Sequence, residues 1–300
     1  MKPDVLRKLE FNKVVERISK FALTEIGKNN ILTALPSSSL NWIVREGILV
    51  NQCKSLLNEN EVPPIEAIPN LSEELALSKI DGAALSTKKI QSILHLLFLG
   101  RTLQNYLKNR CAIYPELYGY KESIYSDKQL ENQILNIISE DGIVKDSASP
   151  KLSSIRKEIK DKNDELRKVV NRLTRDLISK EILREEYSTL REGRVVLPIK
   201  AEHKRQIRGF IHSESSSGQT IYIEPEETLA LNNELVSLSF AEKREIEKIL
   251  RELTKVIGEA SDYIQTSLEV IGYIDSLFAR ASYSIEVNGT FPSFEEKKSF

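Results

Sequence analysis

The sequence predicts a mainly α protein: a helical core carrying an inserted pair of long antiparallel helices, tipped by a small antiparallel β-sheet. Three observations predict it. Apolar residues recur at 3- and 4-residue spacings over most of the chain. Two long, mostly charged stretches, 151–188 and 227–268, each keep a narrow apolar seam. Between them the period switches to two.

The elements follow in order. Residues 4–32 read as one helix, with Leu6, Leu9, Val14, Ile18, Phe21 and Leu23 toward a core and Pro36 beyond its end. Residues 40–58 give a second helix, and Pro63, Pro64 and Pro69 mark an irregular link. Residues 86–109 form a third, with Ser86 as N-cap and Ile90, Ile93, Leu94, Leu97 and Leu103 as its stripe. Gly100 inside it costs about 1 kcal/mol relative to Ala. A shorter helix covers 127–139. The connector 140–150 ends in Ser149-Pro150, which favours a helix start.

The first seam is Leu152, Ile155, Ile159, Leu166, Val169, Leu173 and Leu177. A helix over 151–188 makes a rod of roughly 57 Å at 1.5 Å per residue. The second seam runs through Leu235, Leu238, Ile246, Ile249, Leu253, Val256, Ala260, Ile264 and Leu268. Two such seams pair best antiparallel, as an arm. Between them RVVLPIK (194–200), QIRGFIH (206–212) and QTIYIEP (219–225) read as three strands, since an isolated hairpin is marginal in water. A last helix, 271–287, returns to the core, FPSF (291–294) leaves it, and EEKKSF reads as a cut rather than a finished fold.

Lys+Arg total 43 against 44 Asp+Glu, so any nucleic-acid footprint must be local. The two cysteines, Cys53 and Cys111, have neither CxxC spacing nor His neighbours, which argues against a zinc site or a disulfide scaffold. No apolar run reaches about 18 residues, and the N-terminus lacks a signal-peptide core, so a cytoplasmic protein without a membrane partner is expected.

Four stretches, in order, carry a resemblance: LEFNKVVERISKFALTEIGK (9–28), EDGIVKDSASPKLSSIRKEI (140–159), GRVVLPIKAEHKRQIRGFIHSESSSGQTIYIEPEETLALNNEL (193–235) and IDSLFARASYSIEVNGTFP (274–292). Together they resemble the MutS-two family of bacterial MutS paralogues over nearly the whole chain. The resemblance implies a core/lever over 1–149, a clamp over 150–268 with its β tip at about 193–225, and a return to the core/lever over 269–300. It implies that a MutS ATPase domain, using ATP and Mg, and an Smr nuclease domain belong to the parent protein and not to this chain. It further implies a parent homodimer that acts on branched DNA, suppressing recombination, or on the rRNA of collided ribosomes.

The chain itself offers no catalytic set. There is no GxxxxGK[ST] loop, so no cofactor is expected in it. His95, His203 and His212 make no credible constellation. Glu185-Glu186 and Glu226-Glu227 read as solvated faces. HSESSSGQTIYIEP reads first as a hairpin turn, with phosphate or RNA contact as the alternative. A basic tip remains: Arg191, Arg194, Lys200, Lys204, Arg205 and Arg208, the expected nucleic-acid-binding residues. A nucleic-acid-gripping module is therefore the first reading. A structural lever contacting only a protein partner is the second.

Overall fold

The computed structural model describes residues 3–185 and 187–294. Its helices are α1 (Pro3–Lys8), α2 (Phe11–Ser19), α3 (Glu25–Leu32), α4 (Leu40–Asn58), α5 (Ser72–Ser78), α6 (Thr87–Lys108), α7 (Pro115–Tyr118), α8 (Lys128–Ile137), α9 (Pro150–Ile178) and α10 (Glu226–Glu286). Four strands lie between the last two: β1 (Thr189–Arg191), β2 (Arg194–Lys200), β3 (Gly209–Glu214) and β4 (Thr220–Pro225). The protein is mainly α with a small antiparallel sheet, as the periodicity predicts. Among the described residues, no helix is long and apolar enough to cross a membrane.

Residues up to Ile143 and from Leu250 onward form one compact unit. Its core joins Leu49, Cys53 and Leu56 of α4 to Ile90, Ile93, Leu97 and Leu103 of α6 and to Ile257, Ile264, Ile271 and Leu277 of α10. The helix starts are written locally. Ser86 Oγ accepts from the Lys89 amide and Asp127 from Gln129 and Leu130, each satisfying an N–H that has no partner inside its helix. Gly100 allows a close approach, since a Cβ there would lie 3.0 Å from the Tyr125 carbonyl oxygen.

Val144–Ile249 form the second unit. Ser149 caps α9 as its sequence predicts, accepting from Leu152 N at 3.0 Å, with Pro150 in the first turn. Leu152, Ile155, Leu166, Val170 and Leu177 are the buried seam of an otherwise wet helix. Its ion pairs cross to α10: Arg156 with Glu242 at 2.7 Å, Lys162 with Glu234 at 2.7 Å, and Arg172 with Glu227. The partners descend along α10 as they ascend along α9, so the two helices are antiparallel here.

The sheet order is β1-β2-β4-β3, with every neighbouring pair antiparallel. β2 therefore runs parallel to β3 with β4 between them. Lys200 pairs with Thr220, and Gly209 pairs with Pro225. Residues 201–208 must thus travel the length of β4 as a crossover. Ala201 and Ile207 of that crossover pack on the cluster of Leu166, Leu177, Leu197, Ile199, Ile221, Ile223 and Leu231, so it runs along the cluster side of the sheet.

Several expectations need correction. Residues 4–32 are three helices, broken at Glu10, whose φ is 53°, and again before the Thr24 N-cap. Leu9, Val14, Phe21 and Leu23 are consequently exposed, and Val15, Ala22 and Ile31 make the local core with Ala279. The α9 helix stops at Ile178, not 188. At 29 residues it is about 44 Å long. The stop is a Schellman motif: Ile182 N–H reaches the Leu177 carbonyl, Glu181 N–H that of Ile178, and Glu181 takes a φ of 59°. Beyond the expected end at 188 lies β1, a fourth strand where three were expected. The stretches 227–268 and 271–287 are one helix of 61 residues. FPSF does not simply leave the first unit, because the Phe291 ring fills the space beside Gly47 of α4. The EEKKSF end lies outside the described residues.

Candidate nucleic-acid interface

The crossover and the strands deal the six cations into different settings. Lys204, Arg205 and Arg208 are exposed on the crossover. Lys200 is half-buried at the end of β2. Arg191 and Arg194 pair across β1 and β2, and strand alternation puts them on the sheet face away from the apolar cluster. The structure thus gathers Lys204, Arg205 and Arg208 and separates them from Arg191 and Arg194.

Arg194 carries a charge that the fold already neutralises. Its guanidinium donates to Glu224 Oε1 at 2.8 Å and to Asn233 Oδ1 at 2.6 Å. Glu224 is 1% exposed and also accepts from Asn232 Nδ2 at 2.8 Å and pairs with His212 Nε2 at 2.6 Å. Burial pushes its carboxyl upward, but the hydrogen bonds from His212, Asn232 and Arg194 outweigh that and hold it below the usual glutamate range. A buried charge without such partners would be costly. Asn232 fixes the same corner by bonding both the N–H and the C=O of Val195.

Arg191 stands over the Tyr222 ring, its Cζ 4.3 Å from the centroid. Tyr222 and Glu224 lie on one face because β4 alternates Ile221 and Ile223 inward. Phe210 pairs with Glu224 and so shares that face, where it is 64% exposed. A bulge between Ile211 and Ser213 then shifts the register. The charge pattern of the sequence does not single out Tyr222, Phe210 or Glu224. The alternation in QTIYIEP was the available signal for two of them.

The serine-rich turn is built as a hairpin. Ser215 N donates to the Thr220 carbonyl at 2.8 Å, Ser215 Oγ accepts from Thr220 N at 3.1 Å, and Gly218 takes a φ of 69°. The histidines are dispersed: His95 pairs with Glu66, His203 with Gln206, and His212 with Glu224. Among the described residues, no three His, Cys, Asp or Glu side chains converge as a metal site. Glu226 is exposed, Glu227 pairs with Arg172, and Glu186 lies outside the described residues.

No protein-family model matches the chain. Its relatives do. The chain is 32% identical over 295 residues to Endonuclease MutS2 of Pelotomaculum thermopropionicum, and 34% identical over 300 residues to Endonuclease MutS2 of Clostridium perfringens. It is 34% identical over 306 residues to Endonuclease MutS2 of Halothermothrix orenii. These alignments take in 98–99% of the chain. The chain belongs to the MutS2 family. It spans 38% of the length of each of those three MutS2 relatives. The MutS2 match runs through both units, the β-sheet included, so the sheet and its cations lie within the shared region.

Proposed function

We propose that the chain is the core/lever and clamp portion of a MutS2 protein, and that its sheet unit grips nucleic acid. The observation that carries this is the exposed trio Lys204, Arg205 and Arg208 on one short crossover, none of which closes an ion pair with an acid among the described residues. Phosphate oxygens are bound by such mobile cations without a sequence code. The fold supplies what lysines on a flexible loop lack, because Ala201 and Ile207 pin both ends of the crossover to the apolar cluster. The targets that fit are branched DNA, as in suppression of recombination, or ribosomal RNA, as in rescue of collided ribosomes. In this reading ATP hydrolysis with Mg and endonuclease activity belong to other domains of a longer, dimeric, cytoplasmic protein.

The test is binding of the 300-residue chain to a four-way DNA junction and to purified ribosomes at two salt concentrations. Salt-sensitive binding, weakened by Lys204→Glu, Arg205→Glu and Arg208→Glu together, supports the grip. Unchanged affinity in that triple variant removes the crossover from it. A second reading, a lever that contacts only protein, is favoured by the net charge of −1 and by the neutralisation of Arg194. It requires no salt-dependent binding to either polyanion.

A further inference from the structure

The face of the sheet turned away from the apolar cluster is furnished with rings. Phe210 stands on the edge strand β3 and is 64% exposed. Tyr222 on the neighbouring β4 is half-buried, and the Arg191 Cζ stands over it 4.3 Å from the centroid. Tyr187, just before β1, is exposed as well. An exposed phenyl ring on an unpaired edge is a liability that sheets ordinarily avoid. Here it is retained beside a second ring and a planar cation.

The charge around these rings favours one occupant. Of the carboxylates borne by the four strands, Glu224 is the one on this face; it is sunk to 1% exposure, ion-paired with Arg194 and hydrogen-bonded to His212, while Glu185 beside the rings is hydrogen-bonded to Tyr187. Arg208 immediately precedes Gly209 and Phe210, so the exposed cations of the crossover arrive at the edge where the ring stands. Rings at stacking height with cations at their margin match nucleotides, whose bases offer π-faces and whose backbone offers phosphates. A paired duplex hides those faces. Arginine itself adds a planar stacking surface.

We infer that the sheet face bearing Tyr222 and Phe210 is a stacking platform for unpaired nucleotides, such as those at the branch of a junction or in an RNA loop. This rests on the nucleic-acid reading above and sharpens it: the crossover holds phosphate, and the opposite face selects single strands. Phe210 supplies the ring that is free on its outer side, while Arg191 and Tyr222 form a second layer.

The experiment compares a 20-nucleotide oligo(dT) with a mixed-sequence duplex of the same length by fluorescence polarisation, using the full 300-residue chain. Phe210→Ala is expected to weaken oligo(dT) binding roughly five-fold or more, the scale of one lost stacked base, with duplex binding held within about two-fold. Phe210→Trp, placed in a Trp42→Phe background that removes the sole native tryptophan, is expected to restore binding and to show emission quenched by thymine. Circular dichroism melts check that Phe210→Ala still folds. Equal losses on both probes, or unchanged oligo(dT) binding, overturn the platform. So does a self-association, seen by sedimentation velocity, that Phe210→Ala abolishes while oligo(dT) affinity stays the same. Wild-type binding to duplex but not to oligo(dT) sinks the platform and leaves the grip standing. Binding to neither removes both.

Discussion

Asp275 Oδ2 accepts both the backbone amide of Thr24, at 2.8 Å, and its hydroxyl, at 2.7 Å. Leu23 N donates to the same oxygen at 3.0 Å. Thr24 Oγ1 in turn accepts from Gly27 N at 2.9 Å, capping α3. One carboxylate on α10 therefore sets where the third helix begins. Burial raises its pKa, against the hydrogen bonds from Thr24 and Leu23. Asp275→Ala would strand buried donors and is expected to cost about 2–4 kcal/mol, read as a lower urea midpoint for the first unit. A midpoint within error of wild type would show that water replaces the carboxylate there.

Glu224 gives a pH dependence with a definite sign. Its folded pKa is depressed, so its contribution is complete above the ordinary glutamate range and is lost as pH falls through the folded value. Melting temperature is expected to drop between about pH 6 and pH 3 more steeply in wild type than in Glu224→Gln. At neutral pH the same substitution leaves Arg194 without its carboxylate and is expected to cost about 2–4 kcal/mol. Parallel pH profiles for the two proteins would contradict the assignment.

Arg194 and the crossover cations should separate experimentally. Arg194→Ala is expected to lower the melting temperature while leaving the salt slope of nucleic-acid binding in place. Reversing Lys204, Arg205 and Arg208 is expected to leave the melt unchanged and to reduce the slope by about three, near 0.9 per lost phosphate contact. A salt titration of both variants, with melts alongside, distinguishes the two roles.

Along α9, the seam and its margins should differ in weight. Leu166 is 2% exposed, and Leu166→Ala is expected to cost about 2–5 kcal/mol. Arg172 and Glu227 are each more than half exposed, so Arg172→Ala should cost no more than about 1 kcal/mol. Denaturant midpoints of the two variants provide the check.

Gly258→Ala inverts a simple propensity argument. Alanine in a helix interior gains about 1 kcal/mol over glycine. The Ser78 carbonyl oxygen, however, occupies the space a Cβ would need. A backbone atom cannot rotate aside as a side chain does, so the variant is expected to lose about 1–3 kcal/mol in a thermal or urea melt. A more stable variant would mean that the 78–83 loop moves freely away.

Much of this fold is legible because its signals are local. Ser86, Asp127 and Ser149 each announce a helix start, and each side chain makes its capping bond. The helix stops are harder to read. Asn60, Glu181 and Asn288 all adopt left-handed φ values where a glycine would have been the plain signal. Glu181 in particular gives no warning, and the helix expected to reach 188 stops at Ile178. The break expected between 268 and 271 does not occur, and Gly272 sits inside α10, where Ile26 packs closely over it. For the candidate interface, counting charges found the exposed crossover. It did not reveal that Arg194 is spoken for, since its partner Glu224 lies 30 residues away and is brought to it only by the pairing of β2 with β4.

The strand order β1-β2-β4-β3 also bears on how the protein is made. During synthesis β3 emerges before the only strand it pairs with. β2 meanwhile has β1 on one side and nothing on the other. Neither can close until residues 220–225 have left the exit tunnel and slotted between them. The α9 seam waits longer still, for the turns of α10 that begin at Glu226. The second unit is therefore expected to assemble late and all at once, so that a nascent chain halted near residue 215 would hold an apolar seam and two strand edges uncovered.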